Sequence, residues 1–308
     1  MALPFPVAIH LGVHKTATSY IQRVLAANAA VLAARGIAYL PLETMRPTVT
    51  RASVTGVAAH FAPARQTVAE AVQRAAPVRR LVLSDENLLG SPEGLVDGRG
   101  FYRAAADHAA FLIHAVLEAE QPLLFLCVRS YEEFVASAYA ELLWHRPFRT
   151  FDEYLERFSL DALSWRDLVR RLCRVAGPER LVLWDFRLFQ RCPEAVFAAL
   201  LGGSELPALP RDRTRPSLSG KAIEALGALR PQASDEAIQG EVGRMHRRFP
   251  RRAHPAFQPF HPAMRDRLQR RFVRDLAAIR AEFPAVRILD DEARPQPFEP
   301  PDVTLGCS

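Results

Sequence analysis

Apolar residues in this chain gather in short unbroken runs, separated by longer stretches in which they recur every three or four positions. The run PVAIHLGV (Pro6 to Val13) is short and rich in β-branched residues, which predicts a strand. It gives way to the small-residue loop HKTATS and then to YIQRVLAANAAVLAARG, where Ile21, Val24, Leu25 and Leu32 fall on a helical period and Gly36 stands as a stop. After IAYLP comes a polar stretch containing TGVAAHFAPAR, then a predicted helix from about Thr67 to Arg74. RRLVLSDENLLG predicts a second strand ending at Ser84, RAAADHAAFLIHAVLEAE a helix, PLLFLCVRS a third strand and YEEFVASAYAELLW another helix. WRDLVRRLCRVAG then reads as helix and RLVLWDF as strand. In AMRDRLQRRFVRDLAAIRAEF, Leu268, Phe272, Leu276 and Ile279 share one face opposite arginines, the pattern of a helix packed on a sheet.

Strands alternating with helices predict an α/β protein, a three-layer α/β/α arrangement around a central parallel sheet. Ligands of such sheets bind at the carboxyl ends of the strands. The polar clusters HKTATS, SDEN and RSYEE all fall there. We expect a single domain over residues 1–308, with a loop-rich lobe at about 206–262 that covers substrate or cofactor, because that region is rich in Pro, Arg and Ser. The Pro-rich tail, 289–308, is expected to fray.

Composition narrows the partner. Hydrophobic content of 49% and charged content of 24% are ordinary for a globular protein, whereas a formal charge of +6 favours an anionic partner. No run approaches the length of a membrane span, and the apolar start MALPFPVAIHLGV has neither a basic n-region nor a small-residue cleavage site, so it reads as a strand. Cys127, Cys173, Cys192 and Cys307 show no CxxC or metal spacing and read as free thiols, in keeping with a cytoplasmic location.

All but two of the 40 Lys and Arg residues are arginine; the exceptions are Lys15 and Lys221. A lysine kept at position 15 in so arginine-biased a chain points to a place where a compact ammonium on a flexible stem fits and a planar guanidinium does not. A strand, a tight loop and a helix N-terminus aim backbone N–H groups and the helix dipole at an anion. The phosphate loop G-x-x-x-x-G-K-[ST] is nevertheless absent, since Gly12 is the only glycine near Lys15 and lies three residues before it.

HLGVHKTATSYIQRVL resembles instead the 5′-phosphosulfate loop of sulfotransferases that use 3′-phosphoadenosine 5′-phosphosulfate (PAPS), written K-[TS]-[GA]-T-[TS] after a strand. Ala17 stands where glycine is commoner, and is expected to have the negative φ of a helix start. FLCVRSYEEFVASAY resembles the family's 3′-phosphate site, an arginine at a strand end and a serine on the next helix; here these are Arg129 and Ser137, with Tyr131 in place of the usual proline. The resemblance implies a P-loop NTPase-like sulfotransferase fold. It also implies sulfuryl transfer from PAPS to a hydroxyl or amine of a carbohydrate or small-molecule acceptor, with 3′-phosphoadenosine 5′-phosphate (PAP) as product and no metal.

The cofactor-binding residues it implies are His14, Lys15, Thr16, Ala17, Thr18, Ser19, Arg129 and Ser137, with Arg215 and Ser217 from the later loop RDRTRPSLSGK. Lys15 would neutralise charge on the leaving phosphate oxygen. The base is left among Glu86, its neighbour Asp85, which could equally cap a helix, and His60. His10 is expected to pack on the strand. Two other classes stay open. A nucleotide kinase needs a Mg²⁺ carboxylate, a part Asp85 or Glu86 could play; a non-enzymatic arginine-rich polyanion binder needs aromatics interleaved with its basic clusters, which are not evident. The expected partner is thus a small-molecule or glycan acceptor, not nucleic acid.

Overall fold

A computed structural model describes residues 3–75, 77–90, 101–157, 159–203 and 217–290. Its six strands are β1 (Val7–Gly12), β2 (Ile37–Tyr39), β3 (Arg80–Ser84), β4 (Pro122–Val128), β5 (Leu181–Asp185) and β6 (Arg287–Leu289), and they form one sheet in the order β2-β3-β1-β4-β5-β6. Every pairing is parallel. Parallel strands are buried on both faces, and here successive residues enter two separate cores. Val7, Ile9, Leu11, Leu81, Leu83, Leu124 and Leu126 face one of them; Ala8, Val82, Leu123, Phe125 and Cys127 face the other.

The principal helices are α1 (Thr18–Ala27), α2 (Phe61–Arg74), α3 (Tyr131–His145), α4 (Trp165–Ala176), α5 (Pro193–Leu201) and α6 (Pro262–Glu282). Ile21, Val24 and Leu25 of α1 and Val196, Phe197 and Leu200 of α5 fill the second core. The other four helices send Val68, Phe134, Trp165 and Phe272 into the first. The result is the expected three-layer α/β/α arrangement. Because the chain runs from β1 out to β2, back to β3 and then across to β4, the strand order reverses around β1. A crevice opens where such a reversal occurs, at the carboxyl end of that strand. That end carries HKTATS.

Three expectations change. The helix expected from about Thr67 begins at Phe61, and β2 and β6, each three residues long, add the sheet's two edges. The lobe at 206–262, where it is described, carries three short helices among its loops. Helices Gly220–Gly227, Asp235–Gly240 and Val242–Arg248 place Ala222, Ile223, Leu226, Ile238, Val242 and Met245 in the first core, so apolar residues at helical spacing outweigh the surrounding arginines. Residues 204–216 and the tail from 291, with Cys307, lie outside the described residues. Cys127, Cys173 and Cys192 are free thiols. No helix among the described residues is long and apolar enough to cross a membrane.

Candidate active site

The turn out of β1 is built on positive φ angles. Gly12 has φ 90°, and a Cβ there would lie 3.0 Å from Glu86 Cβ, so glycine admits both the backbone and its neighbour. Lys15 and Ala17 follow with φ 65° and 63°. The negative φ expected at Ala17 is therefore corrected: the residue caps α1 from the left-handed region, and the helical angles begin only at Thr18. The chain must reverse direction before α1 can start, and two left-handed residues make that reversal in the space available.

Alternating left-handed residues turn successive N–H groups toward one centre. Among the described residues, no acceptor meets the N–H groups of Lys15, Thr16, Ala17, Thr18 or Ser19. The threonine hydroxyls point elsewhere, since Thr16 Oγ1 and Thr18 Oγ1 both donate to Val13 O, at 2.6 and 3.3 Å. They hold the loop's shape. Ser19 is exposed in the first turn of α1.

Two cations, Arg129 and the loop's own Lys15, pair with carboxylates of α3. Arg129, one residue past β4, donates from Nη1 to Lys15 O at 2.9 Å and from Nε to Glu133 at 3.2 Å. Its guanidinium stacks 4.7 Å above the Phe186 ring, and Trp165 Nε1 donates to its carbonyl at 2.9 Å. Burial lowers its pKa, and Glu133 opposes that shift. Lys15 Nζ lies 2.7 Å from Glu141 Oε2. Glu133, Ser137 and Glu141 are spaced four apart on α3 and share one face, with buried Ser137 between the two carboxylates. The two motifs, 114 residues apart in sequence, thus meet at a bond between Arg129 and the carbonyl of Lys15.

The SDEN cluster lies beside the loop and is already engaged. Asp85, fully buried, accepts from Arg46 Nε at 3.3 Å, Arg46 Nη2 at 3.1 Å, Thr50 Oγ1 at 2.8 Å and the Asn87 N–H at 3.1 Å. It is both a cap and the buried half of an ion pair with exposed Arg46. Glu86 accepts from Gln22 Nε2 at 3.1 Å and from Arg46 Nη2 at 3.0 Å. His14 is buried behind the loop. Tyr102 Oη accepts the His14 backbone N–H at 3.3 Å and lies 3.0 Å from Nδ1, while Nε2 lies 3.3 Å from Asn87 Oδ1. Asn87 Oδ1 can only accept, which puts the ring proton on Nε2 and leaves Nδ1 to accept from the Tyr102 hydroxyl. Burial lowers the His14 pKa despite nearby Glu86 and Asp85, so the ring is a neutral bracket within this network.

The other candidates are placed less centrally. His60 bonds through Nδ1 to Thr55 Oγ1 at 2.9 Å, at the corner that starts α2; the structure does not bring it to the loop. His10 packs within the sheet as expected, bonded to Ser84 Oγ at 2.8 Å and stacked on Trp184. Ser217 is half-buried, with no bond to the loop among the described residues, and Arg215 lies outside them. The sequence reading had missed Glu141, Glu133, Arg46, Gln22 and Tyr102. Only the first two carried a local signal, the spacing of four around Ser137.

No family model and no curated protein matches the chain. Among solved structures it is similar to a sulfotransferase from Alicyclobacillus acidocaldarius, at 16% identity and a TM-score of 0.43, over 80% of this chain and 97% of that one.

Proposed function

We propose that the protein is a sulfotransferase that moves a sulfuryl group from PAPS to a hydroxyl or amine of a carbohydrate or small-molecule acceptor. One observation carries this reading: Arg129 Nη1 on Lys15 O, 2.9 Å apart, joins the two phosphate motifs of the sequence into one site whose loop amides meet no acceptor among the described residues. The loop N–H groups and Lys15 bind the phosphosulfate, and Lys15 neutralises the phosphate oxygen that leaves. Arg129 and Ser137 hold the 3′-phosphate. The kinase alternative asks Asp85 or Glu86 to carry Mg²⁺, and both carboxylates are already paired with Arg46.

Thermal shift separates the classes. PAP should raise the melting temperature by several degrees without Mg²⁺, well beyond ATP·Mg²⁺ or DNA, and Lys15→Ala should abolish both that shift and turnover. A large shift with DNA alone would make the polyanion binder the better description. Preferential stabilisation by ATP·Mg²⁺ would favour the kinase.

A further inference from the structure

Lys15 marks where the sulfuryl group is transferred, under the function proposed above, and the side chain that touches its ammonium is none of the three candidate bases. It is Glu141, at 2.7 Å. We propose that Glu141 is the residue that takes the acceptor's proton, and that it is released for this task when Lys15 passes from its carboxylate to the donor.

The alternatives are occupied. Glu86 is less exposed than Glu141, and its partners Gln22 and Arg46 lie outside the loop, so a bound donor does not draw them away. Asp85 is saturated by Arg46, Thr50 and Asn87. His14 uses both ring nitrogens, and His60 is bonded at the start of α2. Among the described residues Glu141 has, besides Lys15, only the exposed His145 of its own helix, with Nε2 3.4 Å from Oε1. Other elements packed on that end of α3 meet Trp144: Gln239 Nε2 donates to its carbonyl and the His246 ring lies edge-on to its indole. The carboxylate is about one-third exposed, so an acceptor can reach it from solvent.

Charge explains the timing. Burial alone raises the Glu141 carboxyl, but Lys15 and His145 outweigh it and hold it below its ordinary range, which makes it a poor base in the free protein. A bound phosphosulfate competes for Lys15 with its own negative charge. Once Lys15 turns to it, Glu141 keeps the burial, loses the ammonium and gains an anionic neighbour, and both changes raise its proton affinity. In the transfer step the acceptor oxygen forms a bond to sulfur and the bond from sulfur to the phosphate oxygen breaks. The electron pair stays on that oxygen beside Lys15, and the acceptor's proton goes to Glu141. Base strength thus appears only after the donor is bound.

The acceptor being unidentified, the test uses PAP for binding and water as acceptor, following PAP release from PAPS. Glu141→Gln should bind PAP about 10-fold more tightly than wild type, because Lys15 no longer has to be detached, while PAP release falls about 100-fold. PAP affinity of the wild type should gain more on going from about pH 7 to about pH 5 than that of Glu141→Gln, since only the wild type takes up a proton at this carboxylate. Glu141→Asp, which keeps the acid, should recover part of the rate, as a mere packing defect would not. Tight PAP binding with undiminished PAP release in Glu141→Gln overturns the assignment and leaves the donor site standing, as does a wild type that binds PAP but never releases it from PAPS. A wild type that does not bind PAP overturns the donor site and this inference with it.

Discussion

Ala17 carries a backbone that L-residues avoid, with φ 63° and ψ 24° immediately before α1. The left-handed region costs an ordinary residue about 1–2 kcal/mol, and Lys15, at φ 65°, bears the same strain two residues earlier. The loop holds it because Thr16 and Thr18 fasten it to Val13 O and Arg129 fastens Lys15 O from the other side. Glycine at position 17 would lose the strain at the price of a more mobile unfolded chain, a cost of roughly 0.5–1 kcal/mol. Ala17→Gly is therefore expected to be neutral or to stabilise by up to about 1 kcal/mol, with PAP binding retained. Ala17→Val, β-branched at a positive φ, should destabilise and weaken PAP binding. Thermal melts and PAP titrations of the two variants decide the matter. A clear loss of stability in Ala17→Gly would mean that the loop does not use this conformation.

At the scale of elements, β4 and α3 act as one arm that delivers Arg129 ready-oriented. The guanidinium is fixed at Lys15 O, at Glu133 and over the Phe186 ring. Lysine cannot make all three contacts from one ammonium. Arg129→Lys should therefore lower the ratio of PAP to AMP affinity by about 10-fold or more, and Ser137→Ala by less, because only PAP has a 3′-phosphate for them to bind. Isothermal titration with both nucleotides measures the ratio, and an unchanged ratio in Arg129→Lys would remove Arg129 from the 3′-phosphate site. Arg129 and Ser137 were legible because strand end, turn and helix are consecutive in the chain. Glu141 was not, since its partner Lys15 is 126 residues away and a carboxylate beside a phosphate site runs against the pattern one looks for. Arg46 reaches Asp85 across 39 residues and Tyr102 reaches His14 across 88, pairings that only the folded sheet creates.

For the whole molecule, β1, β3, β4 and β5 could be read directly because each is at least five residues long and almost wholly buried, so the apolar run is unbroken. β2 and β6 are three-residue edges, too short to show a period. That same burial sets the protein's response to acid. His10, His14 and His108 are all buried, and burial lowers the pKa of each, that of His10 to about 3 from an ordinary 6.5. Each stays neutral in the folded protein while the unfolded chain takes up protons as the pH falls below about 6.5. The unfolded state then binds more protons, so stability is greatest above that pH and declines as the pH drops toward the folded values. His10 alone should remove about 2 kcal/mol between neutral pH and about pH 5. Urea unfolding at about pH 7.5 and about pH 5 should show the wild-type midpoint falling on acidification, and His10→Asn, which cannot titrate, should lose less over the same interval. Equal losses in the two proteins would show that His10 is protonated in the folded state, contrary to its place between Ser84 and Trp184 in the sheet.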